Sequence, residues 1–170
     1  LADETGCPFH ACHISSKESV ELIKDAKKSG VDVTCETAPH YLIMNDMDLK
    51  EDGWYKMNPP IRSRQDQEAL IEGILDGSVD MIATDHAPHT LDEKNKGLKD
   101  SYFGIVGLET AFPLLYTKLV LEGVLSLEQL IKLMTKAPRE RFGIKRAASD
   151  FTIFDLEKEY EIRSDEFLTK

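Results

Sequence analysis

The run Met81-Ile82-Ala83-Thr84-Asp85-His86-Ala87-Pro88-His89 constrains this chain more than any other segment. A short apolar stretch stops abruptly at an acid and two histidines, and a polar, glycine-containing loop follows. An apolar strand that delivers a carboxylate and imidazoles to its C-terminal end is how α/β barrels build their active sites. Acids and histidines are costly to bury there without partners, and a metal ion or a substrate is the usual partner.

The surrounding sequence has a matching rhythm. Residues 8–14 read as a short strand, followed by a helix that Ser15-x-x-Glu18 would open with a reciprocal cap and Gly30 would stop. Val20, Leu22, Ile23 and Ala26 supply its apolar stripe. Residues 31–37 predict a second strand, ended by Pro39, which cannot donate to a ladder. Ser63 caps a further helix with Ala69, Leu70 and Ile74 inward and Gly77 as its stop, and residues 79–84 give a third strand. Helices are expected over 108–121 and 126–134, the latter opened by Ser126-x-x-Gln129, with a late strand over 151–156. Strand and helix alternating at this spacing imply parallel βαβ units, hence an α/β sheet or barrel. A closed barrel of this kind needs eight strands and roughly 250 residues. A chain of 170 residues with three such strands falls short of one.

Thirty-one acids against 21 bases give a net charge of −10, which argues against nucleic acid or an anionic membrane as partner. Cys7, Cys12 and Cys35 are odd in number and form no C-x-x-C pair. A disulfide framework is therefore not expected, and a reducing cytoplasm fits best. No stretch approaches 18 unbroken apolar residues, so no spanning helix is expected. The opening Leu-Ala-Asp-Glu-Thr-Gly has neither an initiator Met nor a signal-peptide pattern, which reads as a piece of something longer.

Alternation along strands assigns faces. Met81, Ala83 and Asp85 share one face of the third strand, and Phe9, Ala11 and His13 share one face of the first. With Asp85 pointing into a barrel, the small Ala83 beneath it leaves room for a metal ion, and His13 at the end of its own strand is placed to join it. Carboxylate oxygen with imidazole nitrogen is a normal zinc pair. The bland alternatives are that Asp85 caps its loop and His13 is a hydrogen-bonded structural histidine. The same parity puts His10 and Cys12 on the opposite face, packing between strand and helices. His40, after Ala38-Pro39, reads as a solvated turn residue or a loop ligand, the turn being favoured. Asn58, held before Pro59-Pro60, is a fixed hydrogen-bonding group or a simple Asx turn, and the flanking Lys56 and Arg62 read as solvated charges. Phe103-Gly104 lies in the loop after the third strand, where Gly104 either admits close backbone approach to a ligand or is an ordinary loop glycine.

Four segments taken together resemble the dihydroorotase family, cyclic-amide hydrolases of pyrimidine synthesis within the amidohydrolase superfamily. They are Cys12-His13-Ile14-Ser15, Cys35-Glu36-Thr37-Ala38-Pro39-His40, Lys56-Met57-Asn58-Pro59-Pro60-Ile61-Arg62 and Ala83-Thr84-Asp85-His86-Ala87-Pro88-His89. The likeness continues through Gly104-Ile105-Val106-Gly107-Leu108-Glu109.

The resemblance implies an α/β fold that is part of a (β/α)8 TIM-type barrel. Residues 1–143 would supply about its last three βα units, and 144–170 a linker and a fragment of a small β domain. It implies two zinc ions per complete site, with His13 a ligand of the more exposed one. Asp85 would be a ligand of the more buried one and also the general acid/base. It implies that Asn58, His89, Phe103 and Gly104 hold the substrate, and it sets His86 aside as structural. The implied reaction is reversible conversion between N-carbamoyl-L-aspartate and (S)-dihydroorotate, a small-molecule chemistry in the cytoplasm. The implied partners are a second copy of the chain or aspartate carbamoyltransferase. The family's His-x-His pair, its bridging Lys or Asp and a further zinc-binding His would lie ahead of Leu1, so the isolated chain is expected to be inactive or nearly so. A hydantoinase- or allantoinase-type amidohydrolase and a non-catalytic scaffold for aspartate carbamoyltransferase are the competing readings.

Overall fold

The computed structural model describes residues 1–169. Its centre is a parallel sheet in the order β1 (Phe9–Ala11), β2 (Val33–Thr37), β3 (Met81–Ile82). Phe9, His10 and Ala11 pair with Val33, Thr34 and Cys35, while Glu36 and Thr37 pair with Met81 and Ile82. Ladder-like bonds from Ile14 N to Glu36 O (2.9 Å) and from Ala83 N to Thr37 O (3.0 Å) carry each pairing past the regular strands. A further parallel bridge joins His86 to Ile105.

Around the sheet run α1 (Ala2–Thr5), α2 (Lys17–Lys28), α3 (Pro39–Ile43), α4 (Arg64–Asp76), α5 (Leu91–Lys94), α6 (Gly97–Asp100), α7 (Ala111–Leu115), α8 (Leu127–Ile131) and α9 (Ala137–Phe142). Single π turns follow α7 and α8, over Tyr116–Val120 and Lys132–Lys136. The two long helices are the crossovers of consecutive βαβ units, and α2 packs on α4. The α4 ends are those expected from the sequence: Ser63 and Asp66 form a reciprocal cap, and Gly77 leaves the helix in the left-handed region at φ 81°. The cap of α2 sits one residue later than expected. Ser16 accepts from Ser19 N, and the Ser15 hydroxyl accepts from Arg62 Nε at 3.1 Å. A tertiary partner has claimed the first serine, and Leu22, expected in the apolar stripe, is exposed.

One face of the sheet makes the core. Val33, Cys35 and Ile82 bury against Val20 and Ile23 of α2 and Leu70 and Ile74 of α4, continuing to Leu115, Leu119 and Leu130. The opposite face carries His10, Thr34, Glu36 and Met81, as the register requires. Residues 151–156, expected as a strand, pair with no other segment among the described residues. Strand structure needs a partner edge, and here Phe154 stacks on Phe112 of α7 instead (3.8 Å between ring centres). The chain's last described residues return to the same region, where the amides of Leu168 and Thr169 donate to the Glu109 carboxylate. Among the described residues no helix is long and apolar enough to cross a membrane.

Candidate metal and substrate site

In parallel α/β sheets, ligands bind beyond the C-terminal ends of the strands. His13 follows β1, Glu36 and Thr37 end β2, and Asp85 follows β3, so all three groups crowd one edge. His13 Nε2 lies 3.5 Å from Asp85 Oδ1. Among the described residues, His13 (φ 52°) and Asp85 (φ 48°) are the two non-glycine residues with positive φ. Such backbone costs on the order of 1–3 kcal/mol per residue and persists only where surrounding structure imposes it. Both fall on the two residues expected to bind metal.

The left-handed turn at His13 also breaks the alternation assumed from the sequence. Ala11 packs toward the helical core, whereas His13 turns to the Glu36 side. His10, expected to pack between strand and helices, therefore shares the His13 side. Its Nδ1 is 2.8 Å from Thr34 Oγ1 and its Nε2 3.2 Å from Glu36 Oε2. Cys12, expected beside it in that packing, is exposed, and its sulfur lies with His10 and Glu36 within 4.8 Å of one another. Burial, then the Glu36 charge, push the Cys12 thiol pKa up. Glu36 is thus the hub: its other oxygen lies 3.0 Å from His13 Nδ1, close in distance though not aligned for a hydrogen bond. A carboxylate in an otherwise buried strand was the available signal for it.

His40 is the second correction. It opens α3 and is 3 % exposed, not a solvated turn residue, and its Nε2 is buried without a partner. Burial, and then the nearby His13 charge, lower its pKa from 6.5 to about 4. Neighbouring Tyr41 donates its hydroxyl to Pro59 O at 2.6 Å, which ties the Asn58 loop to this edge. Burial, followed by the Asp85 charge, pushes the Tyr41 phenol pKa up. Asp85 itself is raised, chiefly by burial with Glu36 adding, while His13 opposes. An imidazole nitrogen, a carboxylate oxygen and a buried unpaired imidazole at one rim are donors that suit zinc.

A pH signature follows from His40. Between pH 6.5 and about 4 the unfolded chain binds a proton that the folded chain refuses, so stability falls as pH drops through this window. We expect metal-free protein to lose on the order of 2–3 kcal/mol between pH 7 and 4.5 from this group alone. Urea denaturation of wild type and His40→Leu at both pH values would measure it as the difference in slope.

The other expected site residues cluster one loop away. Asn58 is exposed beside the Tyr41-held Pro59. His89 Nε2 is 2.8 Å from the Phe103 carbonyl, and its Nδ1 faces the Glu93 carboxylate at 3.4 Å, so both ring nitrogens have partners in this structure. Gly104 has φ 150°, and a Cβ there would fall 2.3 Å from Ala87 O and 2.8 Å from His89 Cδ2. His86 Nδ1 accepts from the amides of Gly107 (3.1 Å) and Leu108 (3.2 Å), a structural role. Lys56 and Arg62, read as solvated charges, are tied: Lys56 Nζ to Lys99 O at 2.6 Å and Arg62 Nε to Ser15. A cavity of about 490 Å³ opens beside these groups, lined by Trp54, Ala87, His89, Leu91 and Gly104 among others. Sequence reasoning missed Lys94 here, a buried ammonium in a polar loop.

The chain is 50 % identical to the dihydroorotase of Ligilactobacillus salivarius (strain UCC118) and 55 % identical to that of Geobacillus sp. (strain WCH70), each match covering all of this chain. It spans 42 % of the length of both relatives. Among solved structures it resembles the L-hydantoinase (dihydropyrimidinase) from Arthrobacter aurescens, with TM-score 0.78 and 38 % identity over 84 % of this chain and 32 % of that one. It shares its fold with the inactive dihydroorotase-like domain of the Chaetomium thermophilum CAD-like multifunctional protein, at TM-score 0.66 and 24 % identity over 86 % of this chain and 40 % of that one. The amidohydrolase family profile matches residues 1–162. A parallel sheet whose C-terminal edge gathers His13, Glu36 and Asp85, together with a profile match over nearly its whole length, makes this chain a member of the amidohydrolase family.

Proposed function

We propose that this chain is part of a zinc-dependent dihydroorotase, which interconverts N-carbamoyl-L-aspartate and (S)-dihydroorotate. Residues 1–143 would supply about the last three βα units of a (β/α)8 barrel, and 144–170 a linker and part of a small β domain whose ladder needs further strands. The observation that carries the reading is the convergence of His13 Nε2 and Asp85 Oδ1, 3.5 Å apart, on two left-handed backbone positions. The names of the half-identical relatives support the choice of substrate.

In this mechanism His13 and Asp85 would hold zinc through Nε2 and a carboxylate oxygen. Zinc, when bound, polarises a carbonyl and makes water acidic enough to ionise near neutral pH. Asp85 takes the proton from the attacking water as it adds to the ring amide carbonyl, then returns it to the departing amide nitrogen. His89 would hold the substrate carboxylate by a charge-assisted bond, and Asn58 and the Phe103-Gly104 backbone would complete the grip.

The test is zinc analysis with assays on dihydroorotate and on hydantoin, run on the complete polypeptide and on this chain alone. We expect stoichiometric zinc and dihydroorotate turnover in the complete polypeptide, lost on His89→Ala, and little or no turnover from residues 1–170. Turnover of hydantoin that survives His89→Ala would transfer the protein to the hydantoinase reading. Absence of both activities from zinc-loaded protein would favour a binding scaffold for a partner such as aspartate carbamoyltransferase.

A further inference from the structure

Lys94 ends α5, a single turn opened by a reciprocal cap between Thr90 and Glu93. It is 2 % exposed, and among the described residues no carboxylate lies within salt-bridge distance of it. Burial, and then the Lys56 charge, lower its pKa. An ammonium has three N–H donors and no acceptor, so in a dry site each donor needs an oxygen. All three have one. Nζ donates to Lys56 O at 2.9 Å, Tyr102 O at 3.0 Å and Gly104 O at 2.8 Å.

These carbonyls are not scattered. Lys56 stands two residues before Asn58, and Tyr102 and Gly104 flank Phe103. The Phe103 carbonyl in turn meets His89 Nε2, and Gly104 N donates to Lys56 O at 3.0 Å. One charged group therefore joins the two segments that carry Asn58, Phe103 and Gly104, and through Phe103 it reaches His89.

We propose that Lys94 is a positioning residue for the substrate grip, its three hydrogen bonds fixing the spacing between the Asn58 segment and the Phe103-Gly104 backbone. The inference rests on the dihydroorotase reading. A purely structural lysine would help the chain fold without setting the affinity for substrate. A positioning lysine sets KM, because the grip acts on parts of the substrate away from the bond that breaks.

The experiment uses the complete, zinc-loaded enzyme with Lys94→Met and Lys94→Gln. Methionine keeps the stem volume and removes all three donors, whereas glutamine keeps two. For Lys94→Met we expect KM for dihydroorotate to rise on the order of tenfold or more with kcat changed by less than about threefold, and for Lys94→Gln an intermediate rise. Exchange of the Gly104 amide should accelerate in both variants, which reads the clamp whether or not the enzyme turns over. Unchanged KM with only a lower melting temperature would overturn the proposal. So would an unchanged Gly104 exchange rate in folded Lys94→Gln. Lack of dihydroorotate turnover in the wild type would instead refute the functional reading, leaving the exchange measurement to decide the clamp.

Discussion

Asp85→Asn in the complete enzyme is expected to lower kcat for dihydroorotate by about 10³-fold or more. General acid–base catalysis alone accounts for about 10²–10⁴, and loss of the anionic ligand proposed for zinc would add to it. The substitution is informative because it leaves the fold alone. Asparagine matches aspartate in shape, and with aspartate it is among the residues that best tolerate the left-handed backbone found here at φ 48°. A kcat within about tenfold of wild type, in protein that melts normally, would show that another group carries the proton.

The second large effect belongs to Gly104→Ala, expected to destabilise this chain by about 3–5 kcal/mol. Two costs combine. The backbone at φ 150° is one that side chains rarely adopt, and the new Cβ would meet the Ala87 carbonyl oxygen at 2.3 Å. That oxygen cannot retreat easily, because the Ala87 amide is bonded to Ile105 O at 2.9 Å. Gly30→Ala is the control: it too has positive φ (84°), but nothing lies within 4 Å of its Cβ. It should cost about 1–2 kcal/mol, the conformational part alone. Equal urea midpoints for the two variants would show that the Ala87 contact relaxes freely.

The three parallel βα units and the ends of α4 were readable in the sequence. Each rests on local signals: apolar runs, Ser63 as the cap, Gly77 as the stop. What failed depended on contacts between distant segments. Parity along β1 misplaced His10 because nothing in the residue order announces a positive φ at His13. The cap of α2 moved from Ser15 to Ser16 because Arg62, 47 positions away, takes the first hydroxyl. Residues 151–156 have strand-forming composition but no neighbouring edge to bond. His40 read as a solvated turn because polar residues next to proline usually are, and Lys94 drew no reading at all; only the packed structure reveals their burial.

The unusual φ values at His13 and Asp85 have a consequence for engineering. Glycine adopts such angles without strain, so a screen that rewards thermal robustness alone should drift toward glycine at these two places. It would relax the scaffold and remove the imidazole and carboxylate proposed to hold the ion. On the proposed function, tolerance to heat and competence at the rim therefore pull these two positions in opposite directions.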